Sequence, residues 1–442
     1  MDCAASNGHL HMVQWLHRNR PEGCSYDGCS SAAHNGHHAV VEWLYFNCFE
    51  KDGNAASAAL VSAAAGGHLA LVEWLHPLCP LSISATLIMN RAAKNGHLNV
   101  IEWLYANRSK IGVDCDDQPT YGSQYNLAIY GAAENGHLNV VQWLHARLQH
   151  CDARALDVAA TNGHLAVVEW LYARHCECGQ HMSYTIDSAA AGGHFSVVEW
   201  LYNIGLERFW TTRAMDEAAA IGSLPLVEWL HAKRSDDYNS EGCTTDAMDD
   251  AAKNGHLCVV EWLHTNYSEG CTTWAMDGAA GNGHLDVVKW LHANRLEGCT
   301  SIAMDEAAAL GHLSVVEWLH AHRSEGCTRS AMDQAAALGH LSVVEWLHTH
   351  RSEGCTSNAM DAAAEGAHLC VVEWLHANRP EGCSTGAMDW AAAKGSLSVL
   401  KWLHAHRSEG YTKNAMEMAE KNGFCSVQEW LLEQQLSPQE LA

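Results

Sequence analysis

The chain has 442 residues, with 26 Lys and Arg against 51 Asp and Glu, so its formal net charge is −25. An acidic excess of this size repels a phosphate backbone, and we expect no nucleic acid among the partners. The apolar stretches are interrupted by His, Glu or Gly well short of the roughly 18 residues of a membrane helix, which excludes a membrane protein.

The first ten residues, MDCAASNGHL, contain neither the basic nor the apolar region of a secretory signal. The 18 Cys of so long a chain suit a reduced compartment better than a disulfide framework. We therefore expect a soluble intracellular protein, cytoplasmic with the nucleus as the alternative, without a transmembrane segment. Met1-Asp2 matches the Met-Asp inside later repeats, so either this end frays or the chain is an adaptor fragment whose reading frame begins upstream.

One phrase, Ala-Ala-x-x-Gly-His-Leu-x-Val-Val-Glu-Trp-Leu-His, returns along the whole chain with small substitutions. The last seven of its fifteen Trp residues are spaced by 28 residues. The Trp residues are at positions 15, 43, 74, 103, 143, 170, 200, 229, 262, 290, 318, 346, 374, 402 and 430. The two longest intervals exceed 28 residues by 12, where 110–125 intervenes, and by five, around 236–239.

Each regular unit reads as two short helices. In the unit that begins at Gly270, Thr272 is a good N-cap for a first helix that contains Ala-Met-Asp, and Gly283 supplies the left-handed turn that ends it. A second helix is predicted from about His284 to Asn294. Its apolar residues cover more than one narrow stripe, as in a helix that neighbours cover on two sides.

Helices this short cannot bury their apolar faces alone, so neighbouring repeats must stack. We predict an all-α fold, a solenoid of about fifteen stacked helix-turn-helix repeats that forms a single array over residues 1–442. It comprises four units over 1–109, a polar insertion at 110–125, the remaining units over 126–432 and a C-terminal tail at 433–442.

The phrase Gly-His-Leu-x-Val-Val-Glu-Trp-Leu resembles the second helix of ankyrin repeats, with Trp in place of a Leu. Two features depart from that family: its Thr-Pro-Leu-His opening appears as x-Ala-Met-Asp, and the unit has 28 residues where the family has about 33. The missing residues come from the connection, so we expect no long β-hairpins. The resemblance implies a protein-interaction scaffold whose first helices and preceding turns line a concave binding face.

Histidines and cysteines recur at fixed places in the repeat. The His after each Gly is predicted to serve the turn through hydrogen bonds, and the Cys ladder in Glu-Gly-Cys is predicted to be buried and apolar. A metal- or pH-responsive binding protein is the alternative, because His175, Cys176, Cys178 and His181 form one local cluster of ligand types. We expect no cofactor and no dedicated metal site.

The sequence contains no phrase typical of an active site, so we expect no catalysis. Positions that flank Ala-Met-Asp vary while the rest of the repeat barely changes. Trp274 and Trp390 are extra to the Trp ladder and are the candidate aromatic anchors of an interface, with Arg329 beside them. The alternative is sequence drift at solvated positions.

The Asp of Ala-Met-Asp forms a second candidate set. As an acidic row it would steer a protein partner with a basic surface toward a monomeric scaffold. Alternatively, each Asp bonds the turn of its own or the adjacent repeat. The residues concerned are Asp249, Asp277, Asp305, Asp333, Asp361 and Asp389.

Overall fold

The computed structural model describes residues 1–20, 23–49, 52–79, 85–107, 125–148, 153–174, 185–206, 211–234 and 242–435. Within these ranges the regular structure is entirely helical, in thirty α-helices with one short 3₁₀ turn and one π turn. They fall into two compact units, unit 1 (Met1–Ala214) and unit 2 (Met215–Ala442). The predicted all-α repeat fold is confirmed, while the single array over 1–442 stays a prediction.

Unit 1 contains fourteen helices. They are α1 (Asp2–Ser6), α2 (Leu10–Asn19), α3 (Tyr26–His34), α4 (His38–Asn47), α5 (Gly53–Ala65), α6 (Leu69–Leu75), α7 (Ala85–Lys94), α8 (Leu98–Ala106), α9 (Tyr125–Glu134), α10 (Leu138–Leu148), α11 (Ala153–Thr161), α12 (Leu165–Arg174), α13 (Thr185–Ala191) and α14 (Phe195–Leu201).

The other helices lie wholly or mostly in unit 2. They are α15 (Thr212–Ala220), α16 (Leu224–Arg234), α17 (Thr245–Lys253), α18 (Leu257–Asn266), α19 (Thr273–Gly281), α20 (Leu285–Asn294), α21 (Ser301–Ala309), α22 (Leu313–His322), α23 (Arg329–Ala337), α24 (Leu341–His350), α25 (Asn358–Glu365), α26 (Leu369–Asn378), α27 (Gly386–Ala393), α28 (Leu397–His406), α29 (Lys413–Lys421) and α30 (Cys425–Gln435).

Odd-numbered helices are the first helices of the repeats and even-numbered helices are the second helices. Within each unit a first helix packs against its own second helix and against the first helices of the adjacent repeats. Each second helix carries one Trp of the repeated phrase. The predicted stacking of helix pairs is therefore what buries the apolar faces.

The structure confirms the residues predicted to begin and end the first helix of a repeat. Thr272 has an extended backbone, and its side chain accepts a hydrogen bond from the Trp274 amide. Gly283 has a φ of 81° in the turn that leads to α20. The second helix begins at Leu285, one residue after the predicted start. The described connections between repeats contain no strand, in agreement with the shortened unit.

Small first helices allow close packing of the core. Ala279 and Ala280 of α19 and Val287 and Val288 of α20 are fully buried, and each regular repeat buries the same set. Alanine on the first helix lets neighbouring backbones approach, while the branched residues of the second helix fill the space between layers. Deleting methyl groups from such a core costs about 0.5–5 kcal/mol per residue, depending on the group removed.

The His after each Gly packs on the preceding repeat. A Cβ placed on Gly255 would lie 2.5 Å from Nδ1 of His284, so the glycine leaves room for the next imidazole. In unit 1 the ring also bonds a backbone carbonyl, as His164 Nε2 does with Glu134 O at 2.9 Å. The predicted hydrogen bonding of these histidines in the turns is thus seen, and it joins adjacent repeats.

One repeat departs from this arrangement. Ala367 stands at the glycine position and has a φ of 61°, the one positive φ at a non-glycine residue of the described chain. The next repeat has Ser396 where most repeats have His. A Cβ on the equivalent Gly339 would lie 2.6 Å from Nδ1 of His368, so we infer that the shorter serine makes room for the Ala367 methyl group.

A charged junction links consecutive second helices in unit 2. Arg323 donates through Nη1 to Nδ1 of His292 at 3.4 Å and through Nη2 to Oε1 of Glu325. The His292 ring stands edge-on to Trp318 with centroids 5.2 Å apart. Because an arginine can only donate, His292 must be unprotonated at Nδ1 in this contact. The same junction recurs at Arg295, Arg351, Arg379 and Arg407.

The cysteine ladder lies behind this junction as free thiols. Cys299 is buried, and burial raises its pKa to about 11. Cys243, Cys271, Cys327 and Cys355 are buried in the same way, as the sequence predicts, whereas Cys24 and Cys383 of the same ladder are only half-buried.

Some sequence predictions fall outside the described residues. These are the polar insertion up to residue 124, the longer connection at 236–239, the cluster from His175 to His181 and the tail beyond Gln435. Across the nine ranges that are described, no helix has both the length and the apolar character needed to cross a membrane.

Candidate macromolecule-binding surface

The Asp of Ala-Met-Asp joins each repeat to the next. Asp249 accepts a hydrogen bond from the Thr272 amide at 2.8 Å and another from its hydroxyl at 2.5 Å. Thr272 in turn caps α19, so one carboxylate orients the start of the following first helix. The arrangement recurs at 2.6–2.8 Å in Asp277 with Thr300, Asp305 with Thr328, Asp333 with Thr356, Asp361 with Ser384 and Asp389 with Thr412.

These carboxylates are not an exposed acidic row. Asp249, Asp277, Asp361 and Asp389 are buried, while Asp305 and Asp333 are half-buried. Burial raises the pKa of Asp249 and Asp277, an effect that the two bonds from threonine oppose. The sequence left two roles open for these aspartates, an exposed acidic row or a hydrogen bond to a turn. The structure shows the hydrogen bond, and it is made to the adjacent repeat. We therefore do not carry the six Asp residues into the proposed binding surface.

The two extra tryptophans lie on the solvent side of first helices in unit 2. Trp274, in the first turn of α19, is 67% exposed, and Trp390, in the middle of α27, is 36% exposed. Arg329 begins α23 and donates from Nε to the Glu353 carbonyl at 3.2 Å, which ties it to the next connection. Their role in binding a partner stays a prediction.

Four further apolar residues share this face, and the sequence analysis did not single them out as a set. Ile302, Leu310, Leu338 and Met418 are each more than a third exposed. Together with Trp274 and Trp390 they form what we call the first-helix face of unit 2. Charged residues also lie on it: Glu306 and Arg329 are exposed, and Glu365 pairs with Lys394 at 3.5 Å.

Leu310 and Leu338 could have been found from the repeat alone. They occupy the turn position at which eight of the fifteen repeats have Asn, and Asn254 uses its amide there to bond the Ala220 carbonyl at 2.8 Å. A leucine cannot make this bond. An apolar residue that replaces a bonded polar one at an exposed turn is therefore a signal of a surface requirement.

Much of the exposed acidic charge of the repeats lies on the second helices. The Glu of Val-Val-Glu-Trp is exposed in every repeat that has it. These residues are Glu42, Glu73, Glu102, Glu169, Glu199, Glu228, Glu261, Glu317, Glu345, Glu373 and Glu429. Steering by negative charge would thus act from the second-helix side.

No group of three or more His, Cys, Asp or Glu side chains is placed to hold a metal ion within the part of the chain that the structure describes. Both imidazoles of a His-x-His pair on the second helices contact tryptophan rings. His320 stands edge-on to Trp346, while His350 stacks on that indole with centroids 4.4 Å apart.

Family models match the two halves of the chain separately. A model of ankyrin repeats in three copies matches residues 89–182, and a model of ankyrin repeats in many copies matches 273–320, 304–348 and 360–404. The chain belongs to the ankyrin repeat family. Its ankyrin repeats are the fifteen helix pairs described above, and proteins of this family are typically non-enzymatic binding scaffolds.

No curated protein sequence matches this ankyrin array. Among solved structures, the pentatricopeptide repeat protein PPR10 from maize is similar at 10% identity and a TM-score of 0.30, over 98% of this chain and 74% of that chain. Two structures of the same protein in complex with an 18-nt psaJ RNA element give a TM-score of 0.31 at the same identity and coverage. We withdraw the expectation that nucleic acid is excluded as a partner.

Proposed function

We propose that the chain is a non-enzymatic scaffold and that the first-helix face of unit 2 binds a protein partner. The observation that carries this proposal is the concentration of exposed apolar side chains on that face. Trp274, at 67% exposure, has no role in the core or in the junctions between repeats described above. A large exposed aromatic residue surrounded by other apolar residues is typical of the centre of a protein interface.

The spacing of the apolar residues favours an extended contact over a compact pocket. Adjacent first helices pack at about 8–10 Å, so the four helix steps from α19 to α27 place Trp274 and Trp390 on the order of 40 Å apart. A partner that covered both would bury an interface of ordinary protein–protein size. Small residues between them, such as Ala337 and Ala362, leave room for partner side chains.

The test compares variants of the full chain in affinity capture from a nuclease-treated lysate of the source cells, with captured proteins identified by mass spectrometry. Trp274→Ala combined with Trp390→Ala removes both anchors. Trp15→Ala is the matched control, because Trp15 is 55% exposed on α2, a second helix of unit 1 outside this face. We expect a defined protein that the wild type and the control retain and the double variant loses.

The reason for this expectation is the usual cost of removing a hot-spot tryptophan, about 2 kcal/mol or more for each anchor. The captured protein is then purified, and its affinity for the three forms is measured directly. Equal affinity for the double variant and the wild type would show that the first-helix face is not the binding surface. A complex that survives only without nuclease would indicate nucleic acid as the partner instead.

A further inference from the structure

The regular junctions of unit 2 bring together two side chains that can both carry a positive charge. Nη1 of Arg323 donates to Nδ1 of His292 at 3.4 Å. The same contact recurs at 3.3–3.4 Å between His264 and Arg295, His320 and Arg351, His348 and Arg379, and His376 and Arg407. An arginine keeps its charge throughout the range in which imidazole changes charge, between about pH 5 and 8. Each contact therefore requires the neutral form of its histidine.

The guanidinium is held in place on the side away from the imidazole. Nη2 of Arg323 bonds the Glu325 carboxylate and lies against Gly298, where any side chain would collide with it. The thiol of Cys299 also contacts the guanidinium. Burial opposes ionisation of Glu325, but the bond from Arg323 holds the pKa of that carboxyl below its ordinary value of 4.5. The carboxylate thus stays charged in mild acid and balances the arginine, so a proton on the histidine adds an unbalanced positive charge.

The other titratable groups around the imidazole do not offset that charge. The ring of His322, on α22, has its centroid 6.2 Å from that of His292. His322 donates from Nδ1 to the Trp318 carbonyl at 2.8 Å, a bond that it keeps when charged. On α19, which packs against α20, Asp277 has its carboxylate engaged by the next repeat. On α20 itself, Lys289 is an exposed cation one turn before His292.

Elsewhere in the chain a neutral donor takes the place of the arginine. The Tyr267 hydroxyl lies 2.9 Å from Nδ1 of His231, and the Cys48 thiol lies 3.5 Å from Nδ1 of His17. A hydroxyl can donate to an imidazole or accept from an imidazolium, so the junction with tyrosine survives protonation. A guanidinium can only donate. The response of a junction to acid thus depends on the residue that faces the histidine.

We propose that the five arginine–histidine junctions make unit 2 acid-sensitive: protonation of the histidines between about pH 7 and 5 breaks the junctions and loosens the second helices from α18 to α28. The folded chain binds fewer protons at these histidines than the unfolded chain does, so its stability falls as pH falls through this range. Consecutive junctions act together, because the stability of an array depends on its nearest-neighbour interfaces. The device goes beyond the proposed function, since it requires neither a partner nor the first-helix face.

The test is hydrogen exchange of the full chain at pH 7.5 and 5.5, read by mass spectrometry of second-helix peptides, with exchange times scaled to equal chemical exchange. The acceptor variant carries His320→Asn and His348→Asn, because the asparagine Oδ1 accepts a bond at about the place of Nδ1 and does not titrate. The matched control carries His322→Asn and His350→Asn on the same two helices. Asparagine occupies this position in other repeats, where Asn294 bonds the Trp carbonyl as these histidines do.

In wild type we expect α22 and α24 to lose about tenfold in protection at pH 5.5 relative to pH 7.5, the effect of a like charge at hydrogen-bond distance. The acceptor variant should keep the protection of these helices at pH 5.5, whereas the control should lose it as wild type does. The helix α16, whose junction contains Tyr267, should keep its protection in all three forms. Trp274→Ala with Trp390→Ala should respond to acid as wild type does, which separates this device from the proposed binding surface.

Equal protection of α22 and α24 at the two pH values in wild type would overturn the proposal, and so would an equal loss in wild type and the acceptor variant. Circular dichroism at pH 7.5 shows whether each variant is folded. If the acceptor variant is unfolded, Arg351→Tyr combined with Arg379→Tyr provides the second test. It copies the junction of Tyr267 onto the histidines of α22 and α24, so protection of these helices should become independent of pH in this range. A tenfold loss in that variant would equally contradict the role of the arginines.

Discussion

Asp249 and Thr272 are 23 residues apart and are joined twice, because the threonine amide and hydroxyl both donate to the one carboxylate. The same threonine hydroxyl accepts from the Trp274 amide at the start of α19. A single aspartate therefore contributes both to the junction between two repeats and to the capping of a helix. Loss of that carboxylate leaves a buried amide and a hydroxyl without an acceptor.

Asp249→Ala should lower the free energy of unfolding by about 1–3 kcal/mol, the cost of leaving buried donors unsatisfied. Urea unfolding followed by Trp fluorescence gives the measurement. Asp250→Ala is the control, since Asp250 is the exposed neighbour on the same helix, and its effect should stay within about 0.5 kcal/mol. Equal effects of the two substitutions would show that the bonds to Thr272 contribute nothing.

Glu409 should stabilise the fold in a pH-dependent way. The Arg407 guanidinium bonds its carboxylate and holds its pKa below the ordinary value of 4.5. A carboxyl with a lower pKa in the folded chain stabilises above the unfolded pKa, and the stabilisation is lost as pH falls through the folded pKa. Glu409→Gln should therefore lower the free energy of unfolding by about 1 kcal/mol at pH 7. The decrease should become smaller as the pH falls below 4.5.

The measurement for Glu409 is the urea midpoint at several pH values for wild type, Glu409→Gln and Glu373→Gln. Glu373 is an exposed residue of a second helix and serves as the control, with no expected difference from wild type at any pH. A cost of Glu409→Gln that stays constant down to pH 3 would contradict the prediction.

Substitutions at Ala367 and Ser396 should have non-additive effects on the free energy of unfolding. Ala367→Gly removes a side chain from a left-handed backbone at φ 61° and should stabilise by about 0.5–1 kcal/mol, the relief of strain less the added flexibility of the unfolded chain. Ser396→His should destabilise the parent, because the new ring meets the Ala367 methyl group.

A double-mutant cycle measured by urea unfolding tests the coupling. In the Ala367→Gly background the histidine has the room that His368 has beside Gly339, so Ser396→His should become neutral or favourable. Additive effects of the two substitutions would mean that the serine is unrelated to the alanine.

The cysteines should divide into two classes by reactivity. Cys258 and Cys370 are exposed on second helices, whereas Cys327 is buried and its pKa is raised by that burial to about 11. Only a thiolate reacts with iodoacetamide at a useful rate. Mass spectrometry after brief alkylation at pH 8 should find Cys258 and Cys370 modified and Cys327 intact, with all three modified in 6 M guanidinium chloride. Modification of Cys327 in the native protein at the rate of Cys258 would contradict the assigned burial.

Much of the fold could be predicted because the fifteen repeats can be aligned with one another. The period, the caps such as Thr272 and the left-handed turns such as Gly283 all act within one repeat, where local rules apply. The contact of His284 with Gly255 could not be derived in this way. It joins residues of different repeats, and sequence spacing does not give the rotation of one repeat on the next.

The candidate site was less predictable than the fold for a physical reason. An Asp that recurs in most repeats is equally suited to a surface row and to a bridging bond, and only the direction of its side chain decides between them. The variable positions gave Trp274 and Trp390 correctly as surface residues.

From Cys271 to Thr412 every junction uses the same pattern of bonds, so, apart from the pairing of Ala367 with Ser396, no repeat can identify its own neighbour. Removing 28 consecutive residues would bring Thr328 to Asp277 in place of Thr300 and leave each donor and acceptor satisfied. The number of repeats is then fixed by the length of the coding sequence and not by the folding of the chain. Unequal recombination can lengthen or shorten the array by whole units, and each such step shifts the positions of the exposed residues relative to one another while the core stays intact.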